Sequence, residues 1–324
     1  MARLATNDLL HKAKKSKADE FYTQYCDIER ELRYYSECFK NKTVYCNCDD
    51  PRVSNFFLYF VNNFQKLGLK KIIASCYKAG NKDLFSVQEE VGFYWEYAGN
   101  KNTIKKVNFN ADGDFRSKEC IDILKQSDIV VTNPPFSLFR EFVSQLVHYN
   151  KQFLIIGNVN AITYKEIFKL IQANKVWLGV NLGRGVSGFI VPEHYELSGT
   201  EAYITKDNQR IVATNNCLWL TNLDLEQRHK DIELGKKYFG NEDAYQKYDN
   251  CDGININRTK DIPKDYKGLM GVPITFLHKY NPEQFEIVRF RKGDDGKDLR
   301  VNGKSPYFRI LIRNKKLNSE SPNR

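Results

Sequence analysis

The chain has 324 residues, with 50 Lys and Arg against 40 Asp and Glu, a net charge of +10 and a pI of about 9.0. That length exceeds what one compact core usually needs, so a principal domain with a smaller one attached is expected, and the basic balance favours an anionic partner such as nucleic acid. The start, MARLATNDLLHKAKKSK, lacks the apolar stretch of a secretion signal, and no later run is long enough to span a membrane, so the expectation is a cytoplasmic protein.

After the basic lead, DEFYTQYCDIERELRYYSECF repeats apolar and aromatic residues at helical spacing from Tyr25 to Phe39. TVYCNCDDP reads as a short strand closing on two acids and a proline. VSNFFLYFVNNFQKLGL is helical with Gly68 as its cap, and KKIIASCY is the next strand. The stretch from Lys78 to Asn110 is polar and less regular. DGDF follows, then a helix near Glu119 to Gln126 and a strand over 128 to 132 with its own helix. The strand QFLIIGNVN, the helix ITYKEIFKLIQANK and the strand VWLGV complete the series.

Strands alternating with helices of this length predict an α/β fold, a doubly wound, mostly parallel sheet over residues 1 to 224. From about Asp224 the helical periodicity ends. Tyr, Asn, Gly and Pro become frequent, and the strand-like pieces VPITFL, FEIVRF and YFRILIRN are separated by turn residues, so 225 to 324 reads as a second, smaller region. The eight cysteines are scattered, with only Cys46 and Cys48 close together, and the histidines form no H-E-x-x-H pattern. Reduced thiols and no metal site are expected.

The stretch SDIVVTNPPFSLFREF carries the chemistry. Ile129, Val130 and Val131 form a β-branched run that must stop at Asn133, because Pro134 and Pro135 lack the N–H that would continue a ladder. Apolar residues from Phe136 to Val147 then take helical spacing, which puts the prolines in a strand-to-helix connection, where open α/β sheets bind ligands. For a planar base with an exocyclic amine, the Asn133 side-chain oxygen and the Pro134 carbonyl each accept an N–H, leaving the nitrogen lone pair to face an electrophile. Phe136 stacks on the base. The alternative is an ordinary strand terminator.

NPPF at 133 to 136 resembles the catalytic motif of amino-methyltransferases that use S-adenosylmethionine. The strings HKAKKSK, DEFYTQYCDIE, YCNCDDPRVSNFF, SDIVVTNPPFSLF, LGRGVSGFIVPEHYEL, NNCLWLTNLD and GVPITFLHKYNPEQFE are together similar to the EcoRI-type modification methyltransferases over nearly the whole chain. The resemblance implies a Rossmann-like catalytic domain and a C-terminal target-recognition region in the γ motif order. It implies methylation of the exocyclic amine of adenine in duplex DNA, at the palindrome GAATTC, as the modification half of a type II restriction-modification system in a bacterial cytoplasm. No obligate protein partner is implied.

By the same resemblance Phe21, Tyr22 and Thr23 lie against the methionine part of the cofactor, although Gln24 stands where the family tetrad ends in proline. The cofactor loop, normally D-P-x-x-G-x-G, reads Asp50, Pro51, Arg52, Val53, Ser54, Asn55, Phe56, with Ser54 and Phe56 at the glycine positions. Asp49 or Asp50 is expected to bind the methionine ammonium. Asp114 is expected to accept from the cofactor's adenine amine while Phe115 packs on that ring. IIASCYKAG offers Ser75, Cys76 and Tyr77 where an acid ordinarily holds the ribose, and none is assigned.

The target amine is paired inside a duplex, so the nucleotide must be rotated out of the stack. Expected DNA contacts are Lys12, Lys14, Lys15 and Lys17 in the lead, Arg184 in the connection LGRGVSGFIVP with Phe189 near the base pocket, and a basic stretch holding Arg289, Arg291, Lys292 and Arg309 with Phe290 interleaved. Two other readings stay open: methylation of RNA or of a protein amide, and a catalytically silent DNA-binding protein suggested by the missing glycines.

Overall fold

The computed structural model describes residues 22–77, 92–99, 103–181, 186–191, 197, 202–214, 216–291, 299–306 and 308–316. The chain divides into two compact units, Met1–Ala161 with Leu178–Leu223, and Ile162–Trp177 with Asp224–Arg324.

The first unit is a mixed α/β structure. Its strands are β1 (Tyr22–Thr23), β2 (Thr43–Cys46), β3 (Lys71–Cys76), β4 (Phe93–Tyr97), β5 (Lys105–Asn108), β6 (Ile129–Thr132), β7 (Gln152–Asn158), β8 (Trp177–Leu178), β9 (Gly188–Ile190), β10 (Ala202–Ile204), β11 (Arg210–Ala213) and β12 (Cys217–Thr221). The described residues form an eight-stranded sheet in the order β5-β4-β3-β2-β6-β7-β12-β8. β3, β2, β6 and β7 run parallel, β4 and β12 join them antiparallel, and β5 pairs antiparallel with β4. The expected mostly parallel sheet therefore describes the centre of this sheet and not its flanks.

Burial explains the division. Val44, Tyr45 and Cys46 of β2 and Ile129 to Val131 of β6 are wholly buried, as parallel strands covered on both faces must be. The outer strand β5, Lys-Lys-Val-Asn, is largely exposed. β4 and β5 occupy the stretch that reads as irregular in sequence: β5 is short and polar, while β4, Phe-Tyr-Trp-Glu-Tyr, is a run of aromatics without polar alternation. The helices Asn55–Asn62, Lys118–Gln126 and Phe139–His148 bury Phe56 and Phe60, Cys120 and Leu124, and Phe142 and Leu146. Ser54 and Ser117 cap the first two by accepting from Phe57 N and Cys120 N. Gly68 ends the short turn Phe64–Leu67 at φ +59°, as a left-handed cap requires. The helix expected over 25 to 39 is α-helical only over Tyr25–Leu32 and tightens to a 3-10 helix over Arg33–Phe39.

A second, four-stranded sheet in this unit has the order β1-β9-β11-β10, antiparallel throughout.

In the second unit β13 (Lys247–Tyr248), β14 (Cys251–Asn255), β15 (Leu269–Pro273), β16 (Phe285–Arg291) and β17 (Arg309–Asn314) form a sheet ordered β13-β14-β15-β17-β16. The helix Lys165–Gln172 packs on it, with Phe168 stacked on Phe290 at 4.9 Å. Gln172 Nε2 donates to the carbonyls of Ile287 and Val288, where β16 bulges out of register with β17. VPITFL, read as a strand, divides at Pro273: β15 ends there and Ile274–Lys279 is a 3-10 helix. Among the described residues no helix is long and apolar enough to cross a membrane.

Gly271 in β15 leaves room for the buried Tyr248, whose hydroxyl donates to Asn255 Oδ1 at 3.0 Å. A Cβ at 271 would overlap that hydroxyl. Gly271→Ala is expected to destabilise the protein by roughly 1–3 kcal/mol through forced repacking, read by thermal unfolding. An unchanged midpoint would show that Tyr248 can move aside freely.

Candidate active site

β6 lies between β2 and β7, parallel to both, so the chain leaves β2 and β6 at the same edge of the sheet. The buried Thr132 hydroxyl donates to the Asn47 carbonyl, tying the two exits together. Asp49 N donates to Ser75 O at 3.3 Å, and the Tyr45 and Ser75 hydroxyls lie 2.7 Å apart, which draws in the end of β3. Asn133 to Phe136 and Asn47 to Pro51 are thus neighbouring loops.

Within the first loop Asn133 is half-buried with its Oδ1 atom shielded from solvent, and Pro134 is buried. Pro135, at φ −55° and ψ 122°, turns the chain into the 3-10 turn Phe136–Leu138, closed by Leu138 N donating to Pro135 O at 3.0 Å. The Phe136 ring meets that of Phe189 at 6.0 Å, inclined by 63°. Phe189 pairs with Thr23 across β9 and β1, so the Tyr22–Thr23 strand reaches the NPPF loop through this contact. Asn55 Nδ2 donates to Thr23 O at 2.8 Å, holding the same strand to the helix after Asp50.

The two neighbouring acids differ in environment. Asp49 is buried and accepts from Ser54 Oγ at 2.6 Å, whereas Asp50 is bound by Arg52 through Nε and Nη2. Pro51 is buried at the turn that leads to Ser54. Asp114 is clasped by Arg116 at 2.9 and 2.6 Å, whose hydrogen bonds hold its carboxyl below the usual range. Phe115 is buried edge-on against Phe142, 5.1 Å away, and its carbonyl accepts from Gln145. The Cys48 thiol is pushed up chiefly by burial, with the charges of Cys120, Asp114 and Asp49 adding.

The residues present fit a cofactor carrying an ammonium and several donors. Asp49 is a buried carboxylate, and the buried Thr23 Oγ1 and Asn47 Oδ1 have no hydrogen-bond partner among the described residues. Asn47 escapes the sequence reading because nothing in the string distinguishes it from a turn residue. Tyr77 is exposed, Ser75 is engaged by Tyr45 and Cys76 is buried, which leaves the ribose position unassigned. Among the described residues no cluster of His, Cys, Asp or Glu could hold a metal ion.

Ser54 and Phe56 have evident structural roles. Ser54 both caps its helix and holds Asp49, and Phe56 is buried edge-on to Trp219 at 6.1 Å. Gln24, in the proline position, donates to Ser187 Oγ at 3.0 Å and Gly188 O at 3.1 Å.

Phe21, Lys12, Lys14, Lys15, Lys17, Arg184 and Lys292 lie outside the described residues. Arg289 is exposed on β16, and Arg291 ends that strand opposite Arg309. One member of the expected basic face is corrected: Arg309 is buried, its guanidinium donating to Asn255 and Asn257. Phe290 is half-buried and packs on Phe168 and Phe308. β17 is buried on both faces from Arg309 to Ile312, which encloses Arg309 in the unit's interior.

A family model described as adenine-specific methyltransferase EcoRI matches residues 9–315. The chain is 68% identical to the type II methyltransferase M.EcoRI of Escherichia coli, covering 98% of this chain and 99% of that protein. It is 38% identical to M.MgeORF184P of Mycoplasma genitalium (95% and 99% covered) and 36% identical to M.MpnI of Mycoplasma pneumoniae (94% and 97%), both named type II methyltransferases. No solved structure matches.

Burial raises the Asp49 carboxyl to about 7, with the Ser54 hydrogen bond opposing and the Asp50 charge adding. An acid raised in this way keeps its proton in the folded state where the unfolded chain has lost it. Its cost to stability therefore grows as pH rises from about 4 to about 7 and is constant above. Asp49→Asn is expected to stabilise the ligand-free protein at about pH 8 by roughly 1–4 kcal/mol, with the gain vanishing near pH 4. Denaturant unfolding at both pH values reads this, and an equal gain at both would contradict a buried, protonatable Asp49.

Proposed function

The chain belongs to the adenine-specific methyltransferase EcoRI family, and on that premise we propose that it transfers a methyl group from S-adenosylmethionine to the exocyclic amine of adenine in duplex DNA. In this reading it is the modification enzyme of a type II restriction-modification system, acts on GAATTC and works in the cytoplasm. The observation that carries the proposal is the placing of NPPF and the Asp49 loop at one edge of the parallel centre, in a chain matched along nearly its whole length by this family.

The catalytic domain is the Rossmann-like first unit, and the second unit serves target recognition. Tyr22, Thr23, Asp49, Asp50, Pro51, Asp114 and Phe115 bound the cofactor pocket, and the family resemblance assigns Phe21 to the same role. Asp49 holds the methionine ammonium; Asp50 and Asp114, already bound to Arg52 and Arg116, shape the rim. The cofactor supplies a methyl carbon made electrophilic by a sulfonium. Asn133 Oδ1 and the Pro134 carbonyl accept the two amine N–H groups, which localises the lone pair on nitrogen. Pro135 stiffens the loop, and Phe136 holds the extruded base by stacking. Arg289, Arg291, Lys292, Arg184 and the lysines at 12, 14 and 15 supply phosphate contacts. A silent DNA-binding protein is disfavoured, because Ser54 and Phe56 keep Asp49 and its helix in place without the glycines.

Tritiated methyl transfer should label duplexes containing GAATTC, not duplexes lacking it or RNA of the same sequence; no label in any of them would reject the activity. Asn133→Ala and Phe136→Ala should each lower kcat on the order of 100-fold while the fold persists, since each removes an interaction used at the reacting amine. Cofactor binding should weaken by up to about tenfold for each pH unit below 7, because the ammonium must then draw Asp49 into its charged form. Calorimetry at about pH 6 and pH 8 reads this, and an affinity independent of pH would remove Asp49 from the ammonium site.

A further inference from the structure

The helix Tyr25–Leu32 carries two wholly buried carboxylates, Asp27 and Glu31, one turn apart. Glu31 Oε1 accepts from Val180 N at 2.7 Å and Tyr35 OH at 2.8 Å, while Oε2 accepts from Asn181 N at 3.0 Å and Asn181 Nδ2 at 2.7 Å. Asp27 acts further along the chain. Its Oδ2 accepts from Ser187 N at 2.8 Å, both its oxygens lie within 3.1 Å of the Ser187 hydroxyl, and Arg30 Nη1 stands 3.1 Å from Oδ1. Gln24, one turn before Asp27, grips Ser187 and Gly188 with its side-chain amide. Two residues beyond Ser187 is Phe189, whose ring meets Phe136.

A buried carboxylate is costly unless its lone pairs are filled, and charge-assisted bonds to a backbone N–H and a hydroxyl are short and directional. Asp27 fixes both the main chain and the side chain of Ser187, the residue that enters β9. Because side chains alternate along a strand, a displaced entry would shift Phe189 or turn it away from Phe136. The inclined contact between the rings in turn limits the plane the Phe136 ring can take.

We propose that Asp27 is a positioning residue for methyl transfer: through Ser187 it sets β9 so that Phe189 holds the Phe136 ring in the plane on which the extruded adenine stacks. This rests on the proposed function for the identity of the stacked base. Asp27 itself touches neither base nor cofactor. Misplacement of a supporting ring by a fraction of an ångström is enough to lower a rate that depends on alignment.

The test uses the full-length chain and a duplex carrying 2-aminopurine at the target adenine, whose emission reports stacking. Asp27→Asn keeps the shape but loses the charge and places an N–H2 group against a donor. Its kcat on unmodified duplex should fall about tenfold, with the cofactor KM within about twofold of the parent, and emission from the bound 2-aminopurine duplex should rise as quenching by Phe136 weakens. Ser187→Ala, which removes only the hydroxyl, should give the same pattern at about threefold. Glu31→Gln should lower the unfolding temperature and leave the emission as in the parent.

Unchanged kcat and emission in both Asp27→Asn and Ser187→Ala would overturn the assignment, as would an emission change in Glu31→Gln equal to that in Asp27→Asn. Should Asp27→Asn fail to fold, Ser187→Ala decides alone. A parent protein that methylates no duplex would instead remove the function on which the assignment rests, so the two failures are distinct.

Discussion

Parallel pairing of β2 with β6 is the constraint on which the site depends. Two parallel strands end at the same edge of a sheet, whereas antiparallel ones would put the Asp49 loop and Asn133 at opposite ends. The bond from Thr132 to the Asn47 carbonyl then joins the two exits at the last residue of β6. Proline makes this arrangement stable, because a residue without an N–H cannot prolong β6 into the space the loops share. The flanking antiparallel strands leave this centre undisturbed and widen the sheet on both sides.

Desolvation separates the roles of adjacent charges. Asp49 and Asp50 are chemically identical neighbours, yet one is buried with Ser54 as its donor and the other is bound by the exposed Arg52. The buried acid can respond strongly to a cation, because its charged form has little water to stabilise it. The paired acid is already satisfied. The same principle operates in the helix Tyr25–Leu32, where backbone and side-chain donors, several from distant sequence, fill the lone pairs of the buried Asp27 and Glu31.

Much of the centre is legible in the string, because β-branched runs such as Ile129 to Val131 and helical repeats such as Phe139 to Leu146 are local patterns. Gly68 is legible for the same reason: a left-handed cap has a strong residue preference. β5 is hidden by Lys105 and Lys106, which satisfy no apolar template, whereas the aromatic run Phe93 to Tyr97 of β4 carries a strand signal that the reading of 78 to 110 as irregular passes over. The 3-10 segment Arg33–Phe39 keeps a helical apolar pattern while rich in aromatic and polar residues of modest helix propensity, so periodicity alone overstates the α-helix. The family motifs bring Thr23, Asp49 and Asn133 into view. The separation of Asp49 from Asp50, the burial of Arg309 and the bond from Ser187 to Asp27 depend on partners far away in the chain, where no local signal exists.

The outer strand β5 has a consequence for the protein in crowded solution. A sheet margin presents open amide and carbonyl groups that invite a strand from another molecule. Here Lys105 and Lys106 lie exposed along that margin. A second copy approaching edge to edge would bring ammonium groups against ammonium groups, an electrostatic guard against fibrous self-association built into the same residues that obscure the strand in the sequence.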